Sequence, residues 1–155
     1  MVSEYNNRAR ALGLSAHKMV AVEGDILAGD EGVLRGEEFF GFDVVAVGLA
    51  LHHMAEPERA VEKLVGRLRR GGGVLLVVEL LPRGHGHGHG HEVGGHGAEH
   101  TISKHGFDRE DMKRMIEGAG CEGFEMEEWD EPMVMEGKGG RFEVKAFSAK
   151  GVRKA

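Results

Sequence analysis

Three groups of residues in this sequence have types and spacings that chemistry can use. His52 and His53 are adjacent, and an imidazole changes charge near neutral pH, so either suits a general base or a metal ligand. Neighbouring residues point different ways from a helix or strand, so if one ring faces a site the other packs. His85, His87, His89 and His91 alternate with glycine, and His96, His100 and His105 follow. Alternate residues of an extended chain share a side, and imidazole suits zinc, copper or nickel. The glycines make that loop costly to order, and no cysteine or firm ligand spacing accompanies it. Its bland reading is a low-complexity insertion in a surface loop, over 84–100. The third group, the carboxylates from Glu122 to Glu136, reads as a solvated face rather than a paired acid and base.

One apparent motif is a decoy. Gly118-Ala119-Gly120-Cys121-Glu122-Gly123 fits G-x-G-x-x-G letter for letter. It follows a helix and leads into a strand, which reverses the context that a dinucleotide loop needs. It reads as a helix end and turn.

The elements that must position these groups alternate. Ser3 to Leu12 predicts a short helix, with Ser3 as N-cap, Tyr5, Ala9 and Leu12 at helical spacing, and Gly13 as its stop. Met19 to Val22 predicts a short strand, and 26–36 a loop or weak helix. Asp43-Val44-Val45-Ala46-Val47 is a continuous apolar run of the kind buried on both faces of a parallel sheet. Pro57 to Leu68 predicts a helix with an apolar stripe of Ala60, Val61, Leu64, Val65 and Leu68. Gly71-Gly72-Gly73 ends it, and Val74 to Glu79 predicts the next buried strand. Asp108 caps a further helix with Met112, Met115, Ile116 and Ala119 on one face. Two strands near Gly123–Glu128 and Phe142–Ser148, joined through Pro132, Gly137, Gly139 and Gly140, predict a terminal antiparallel hairpin. Strands alternating with helices mean an α/β fold with a mostly parallel sheet. Ligands of such sheets bind beyond the carboxyl ends of the strands. The residues to inspect are therefore Glu23-Gly24-Asp25, Gly48-Leu49-Ala50 and Glu79-Leu80.

Composition bounds the rest. The chain has 155 residues, 41% hydrophobic and 30% charged, with 26 glycines, 10 histidines and 3 prolines. Seven glycines and five histidines fall between Gly84 and Gly97 and supply almost no core. About 130 residues remain, enough for one small core. The net charge of −6 and the scattered basic residues disfavour nucleic acid as a partner. Arg67, Arg69 and Arg70 read as complements to a helix dipole. The longest apolar run is too short to cross a bilayer, so no membrane partner is expected. Cys121 stands alone, which rules out a disulfide within the chain and suits a reducing, cytoplasmic setting.

Several of these segments resemble the class I methyltransferases that use S-adenosylmethionine (SAM), in their small-molecule, ubiquinone/menaquinone-type branch. Val22-Glu23-Gly24-Asp25-Ile26 resembles a strand-end acidic motif of that family. Phe42 through Met54, with His52-His53, resembles its fourth strand and following loop. Leu64 through Gly72 is similar to its helix-to-glycine turn, and Val74–Glu79 to its fifth strand. His105-Gly106-Phe107-Asp108 through Gly120 resembles its late helix.

The resemblance implies a partial Rossmann-like methyltransferase sheet with a C-terminal hairpin. It implies SAM as cofactor and a small molecule as methyl acceptor. Asp25 and Ile26 would then meet the adenine, Gly48 and Leu49 the methionine end, and His52 and His53 would stand at the active-site mouth. It also implies an N-terminally truncated chain, a single domain over 1–155 that lacks the family's first two strands and glycine-rich cofactor loop, or a Met1 internal to a longer frame. Methyl transfer would be impaired by that lack. Two other readings remain open: a non-catalytic module that pairs with a complete partner over an open sheet edge, and a metal binder working through His85, His87, His89 and His91.

Overall fold

The computed structural model describes residues 1–28, 33–82, 106–137 and 140–155. The glycine–histidine segment, including His85, His87, His89 and His91, lies outside the described residues. The chain divides into two compact units, Met1–Gly36 and Glu37–Ala155.

The first unit carries helix α1, Val2–Ala11. Gly13 stops it as expected, in the left-handed region at φ 74° that costs glycine little. The cap differs: Met1, not Ser3, precedes the helix and gives no side-chain hydrogen bond. Of the expected stripe, Ala9 is buried whereas Tyr5 and Leu12 are exposed. Residues 19–22 form no strand. A strand needs a neighbour for its backbone groups, and here a side chain takes that place for one residue. Asn6 donates Nδ2–H to the Ala21 carbonyl at 2.9 Å and accepts from the Ala21 N–H at 2.7 Å. Met19, Val20 and Val22 are exposed.

The second unit is built around strands β1 (Val44–Gly48), β2 (Val74–Leu80), β3 (Cys121–Glu128) and β6 (Ala146–Arg153), in the order β1-β2-β6-β3. β1 and β2 are parallel, and β6 runs against both β2 and β3. Three of the four strands therefore point one way and β6 is the reversed one, as an α/β sheet with a terminal antiparallel pair requires. The terminal hairpin is more elaborate than its sequence suggests. β4 (Met133–Gly137) and β5 (Gly140–Val144) form a separate ribbon between β3 and β6, and the run expected over 142–148 breaks at Lys145. Met133 and Met135 pair there with Val144 and Phe142, a small two-strand alternation of its own.

Helices α2 (Pro57–Arg67) and α3 (Arg109–Gly118) pack on each other, α2 also on β1 and α3 on β3 and β6. Pro57 opens α2, where its missing N–H costs nothing. Asp108 caps α3, accepting from the Asp111 N–H at 2.8 Å. The expected stripes are buried at Ala60, Val61, Val65, Leu68, Met112, Met115 and Ile116. Each large one contributes about 1.5–3 kcal/mol by leaving water. Two glycines set how closely the layers approach. A Cβ on Gly151 of β6 would collide with Ile116 of α3, and one on Gly73 would sit 2.7 Å from the Arg69 carbonyl oxygen. The end of α2 is tied by Arg153, whose guanidinium donates to the carbonyls of Gly66 and Leu68. Arg67 instead lies over the Phe40 ring, and Arg69 pairs with Asp43. The G-x-G-x-x-G segment is the end of α3, a turn with Gly120 at φ 94°, and the start of β3.

Candidate functional site

The carboxyl ends of β1 and β2 lie side by side, Gly48 opposite Val78. The residues that follow each strand must therefore meet. Leu49 turns the chain with φ at 51°, the one non-glycine among the described residues in that region, and donates its N–H to the Val78 carbonyl at 2.8 Å. Such a conformation costs about 1–2 kcal/mol for a residue with a Cβ. The turn delivers a single-turn 3-10 helix, Leu51–His53, against the end of β2.

Glu79 is what it meets. Its side chain is fully buried, and burying a carboxylate is expensive unless its lone pairs are met. They are met three times. Oε1 accepts from the Leu51 N–H at 2.8 Å, Oε2 from the Leu80 N–H at 3.2 Å, and Oε2 lies 2.8 Å from Nδ1 of His52. His52 is itself buried, at 7% exposure. A carboxylate against Nδ1 places the proton on that nitrogen, so in the neutral ring Nε2 carries the lone pair. His53 is exposed and its ring stacks at 4.1 Å from that of His52, tilted by 41°. One histidine packs into the dyad and the other faces out, as adjacent residues must. Phe107, fully buried, donates its N–H to the Leu80 carbonyl at 2.9 Å beside this strand end.

Of the residues singled out in the sequence, Gly48, Leu49 and His52 come together with Glu79 around this strand end. Asp25 and Ile26 belong to the first unit. There Asp25 is exposed and accepts from the Leu27 N–H at 2.8 Å, closing its own turn, while Ile26 is half-buried. Among the described residues no group of three or more histidines, cysteines or carboxylates is placed to hold a metal. Cys121 is buried, and burial pushes its thiol up, which removes it as a nucleophile. No helix among the described residues is long and apolar enough to cross a membrane. Glu79 is the residue that sequence reasoning missed as a partner of His52. The signal was present: His52 follows β1, Glu79 stands near the end of β2, and a carboxylate there interrupts an otherwise apolar run.

No family model and no curated protein matches this chain. Solved structures match it in fold. The YcgJ protein from Bacillus subtilis matches 100% of this chain over 79% of its own, with a TM-score of 0.69 and 12% identity. A SAM-dependent methyltransferase from Thermotoga maritima matches 96% of the chain over 68% of its own, with a TM-score of 0.53 and 16% identity. The [4+2]-cyclase SpnF matches 99% over 62% of its own, with a TM-score of 0.62 and 15% identity. The chain has the class I methyltransferase fold. Identities this low carry the fold alone, and the cyclase illustrates that one fold hosts more than one chemistry.

Proposed function

We propose that this chain performs SAM-dependent methyl transfer to a small-molecule acceptor, with His52 as the general base and Glu79 as the residue that orients it. The observation that carries the reading is the buried Glu79–His52 pair at the carboxyl ends of two parallel strands, where open α/β sheets bind ligands. The acceptor is a compound whose nucleophilic atom carries a proton, a hydroxyl for example. That proton passes to Nε2 of His52, and Glu79 stabilises the imidazolium that forms.

The residues present fit SAM at one end. A Cβ on Gly48 would meet nothing within 4 Å, so open space borders the backbone at the end of β1. Gly48 and Leu49 would hold the methionine part there. The group supplies an electrophilic methyl when bound; the chain supplies alignment and the base. Among the described residues no glycine-rich loop follows a strand to cradle the rest of the cofactor, so we expect weak binding and slow turnover.

Calorimetry with SAM, followed by transfer of labelled methyl to a panel of small hydroxyl compounds, tests this. The expected result is weak but saturable binding, and turnover that His52→Gln lowers by about 10²–10⁴-fold. Absence of SAM binding overturns the methyl-transfer reading, and unchanged turnover in His52→Gln overturns the role of His52. Among the described residues no strand pairs with the outer edge of β1, which favours a second reading, a non-catalytic module that works by association. Its signature is a stable complex from a chain that leaves SAM unbound.

A further inference from the structure

The backbone groups of Leu80 lie just past the strand that would have held them. Along β2 the even-numbered residues bond toward β1: the Val74 N–H donates to the Asp43 carbonyl, and the Val78 carbonyl accepts from the Leu49 N–H. Leu81 bonds toward β6, its N–H donating to the Lys145 carbonyl at 3.0 Å. Pairing with β1 stops at Gly48, opposite Val78. Leu80, two residues further on, therefore turns its N–H and C=O to a side where β1 no longer runs. Two other groups meet them there. Oε2 of Glu79 accepts from the Leu80 N–H at 3.2 Å, and the Phe107 N–H donates to the Leu80 carbonyl at 2.9 Å. Leu80 is thus held at both ends, by the site's buried acid and by the chain that enters α3.

Gly106 sets how near that chain comes. A Cβ there would lie 2.7 Å from the Leu80 carbonyl oxygen and from the carbonyl carbon and oxygen of Leu81, backbone atoms that no change of rotamer moves aside. Its φ of 120° is also one that a residue with a Cβ rarely adopts. Space and backbone each require glycine here. We propose that Gly106 is a positioning residue for the Glu79–His52 pair. It lets the Phe107 N–H reach the Leu80 carbonyl, which fixes the Leu80 N–H on Oε2 of Glu79. The same oxygen stands 2.8 Å from Nδ1 of His52. A side chain at 106 forces the 106–107 and 80–81 backbones apart and swings the Leu80 N–H off Oε2. The carboxylate, with one donor fewer, is then free to turn, and the imidazole with it. The inference rests on the role proposed for His52, and Gly106 reaches the reacting atoms only through Leu80 and Glu79.

Gly106→Ala in the full chain is the test, with three readouts. Nitrogen NMR of His52 should show the proton no longer confined to Nδ1. The Leu80 amide should exchange about tenfold faster or more. The kcat for methyl transfer should fall by about 10–10²-fold, with KM for SAM unchanged. A merely structural glycine would lower the melting temperature and leave the tautomer and the kcat of the folded molecules as they were. Gly118→Ala, near the end of α3 where a Cβ would meet nothing within 4 Å, should alter none of the three. The wild type gives a check that holds even where Gly106→Ala fails to fold. Its Phe107 and Leu80 amides should exchange together, with one dependence on urea, because one closure protects both. An unchanged His52 tautomer in folded Gly106→Ala, the same changes in Gly118→Ala, or a wild-type Leu80 amide that exchanges independently of Phe107 would each overturn the proposal. A wild type that transfers no methyl overturns the reading of the site instead, and the tautomer and the amides, read without SAM, still decide this one.

Discussion

The two faces of the four-stranded sheet come from the same strands and behave oppositely. On the helix-covered face Leu75, Val77 and Ala149 are buried, and Gly151 admits α3 so closely that no Cβ would fit. On the other face Val44 and Leu76 are exposed, and beyond them Lys150 and Glu125 form an ion pair in solvent. Leu75 and Leu76 differ by one position and by nothing in chemistry. A strand alternates sides, so what a side chain contributes is decided by what covers its face. The covered face also holds Glu79, two residues beyond Val77. The site's one buried charge therefore stands on the side where neighbours can hold it, and the apolar surface left open is on the side that holds none.

The largest test of this contrast is a pair of truncations. Leu75→Ala should cost about 2–5 kcal/mol, a buried side chain lost and a cavity left. Leu76→Ala should cost less than about 1 kcal/mol, because its side chain stays in contact with water in the native state. Urea unfolding of both variants measures this. Equal losses would break the contrast and mean that the second face is covered in solution.

Glu79 sharpens it next. Glu79→Ala removes the acceptor for two backbone N–H groups and an imidazole at once. Each orphaned buried donor costs about 1–3 kcal/mol, so a loss of about 3 kcal/mol or more is expected. Glu79→Gln is the finer probe. Its oxygen still accepts from backbone while its amide can donate to Nδ1, which moves the imidazole proton to Nε2. The variant should stay folded and lose the base. Nitrogen NMR of His52 reports the tautomer, and an unchanged tautomer in Glu79→Gln would refute the positioning role. Asp108→Ala tests the covering layer itself. Loss of the cap on α3 should cost about 1 kcal/mol, read by thermal or urea melting.

Much of the second unit was legible because its signals are local. The stripe from Ala60 to Leu68, the Asp108 cap, the glycine turn after α2 and the apolar runs of β1 and β2 each state their own structure, although the burial on both faces expected of the first run fails, Val44 and Ala46 being exposed because nothing among the described residues covers that face. What was not legible depends on partners distant in sequence. Met19–Val22 has the composition of a strand, yet strandedness belongs to a pair, and Asn6 supplies only a side-chain substitute for one residue of it. The β4–β5 ribbon hid inside a stretch read as a connection, since its residues alternate over five positions only. At the site, Gly48, Leu49 and His52 could be named from the strand end. The dyad could not, because Glu79 lies 27 positions from His52 and only the parallel register brings them together.

The smallest effect bears on the turn that links the faces to the site. Leu49 holds a left-handed conformation just where β1 ends, and its N–H is fixed by Val78. Replacing it with alanine removes a half-buried side chain but keeps the Cβ that makes this conformation costly. Replacing it with glycine removes the same packing and relieves about 1–2 kcal/mol of strain, against about 0.5–1 kcal/mol of added backbone freedom in the unfolded chain. Leu49→Gly should therefore be more stable than Leu49→Ala by about 0.5 kcal/mol, an inversion of the usual order. Denaturant melts of the two variants, run together, decide it. If alanine is the better tolerated, the turn is not strained, and the Leu51–His53 segment is held against Glu79 by its hydrogen bonds alone.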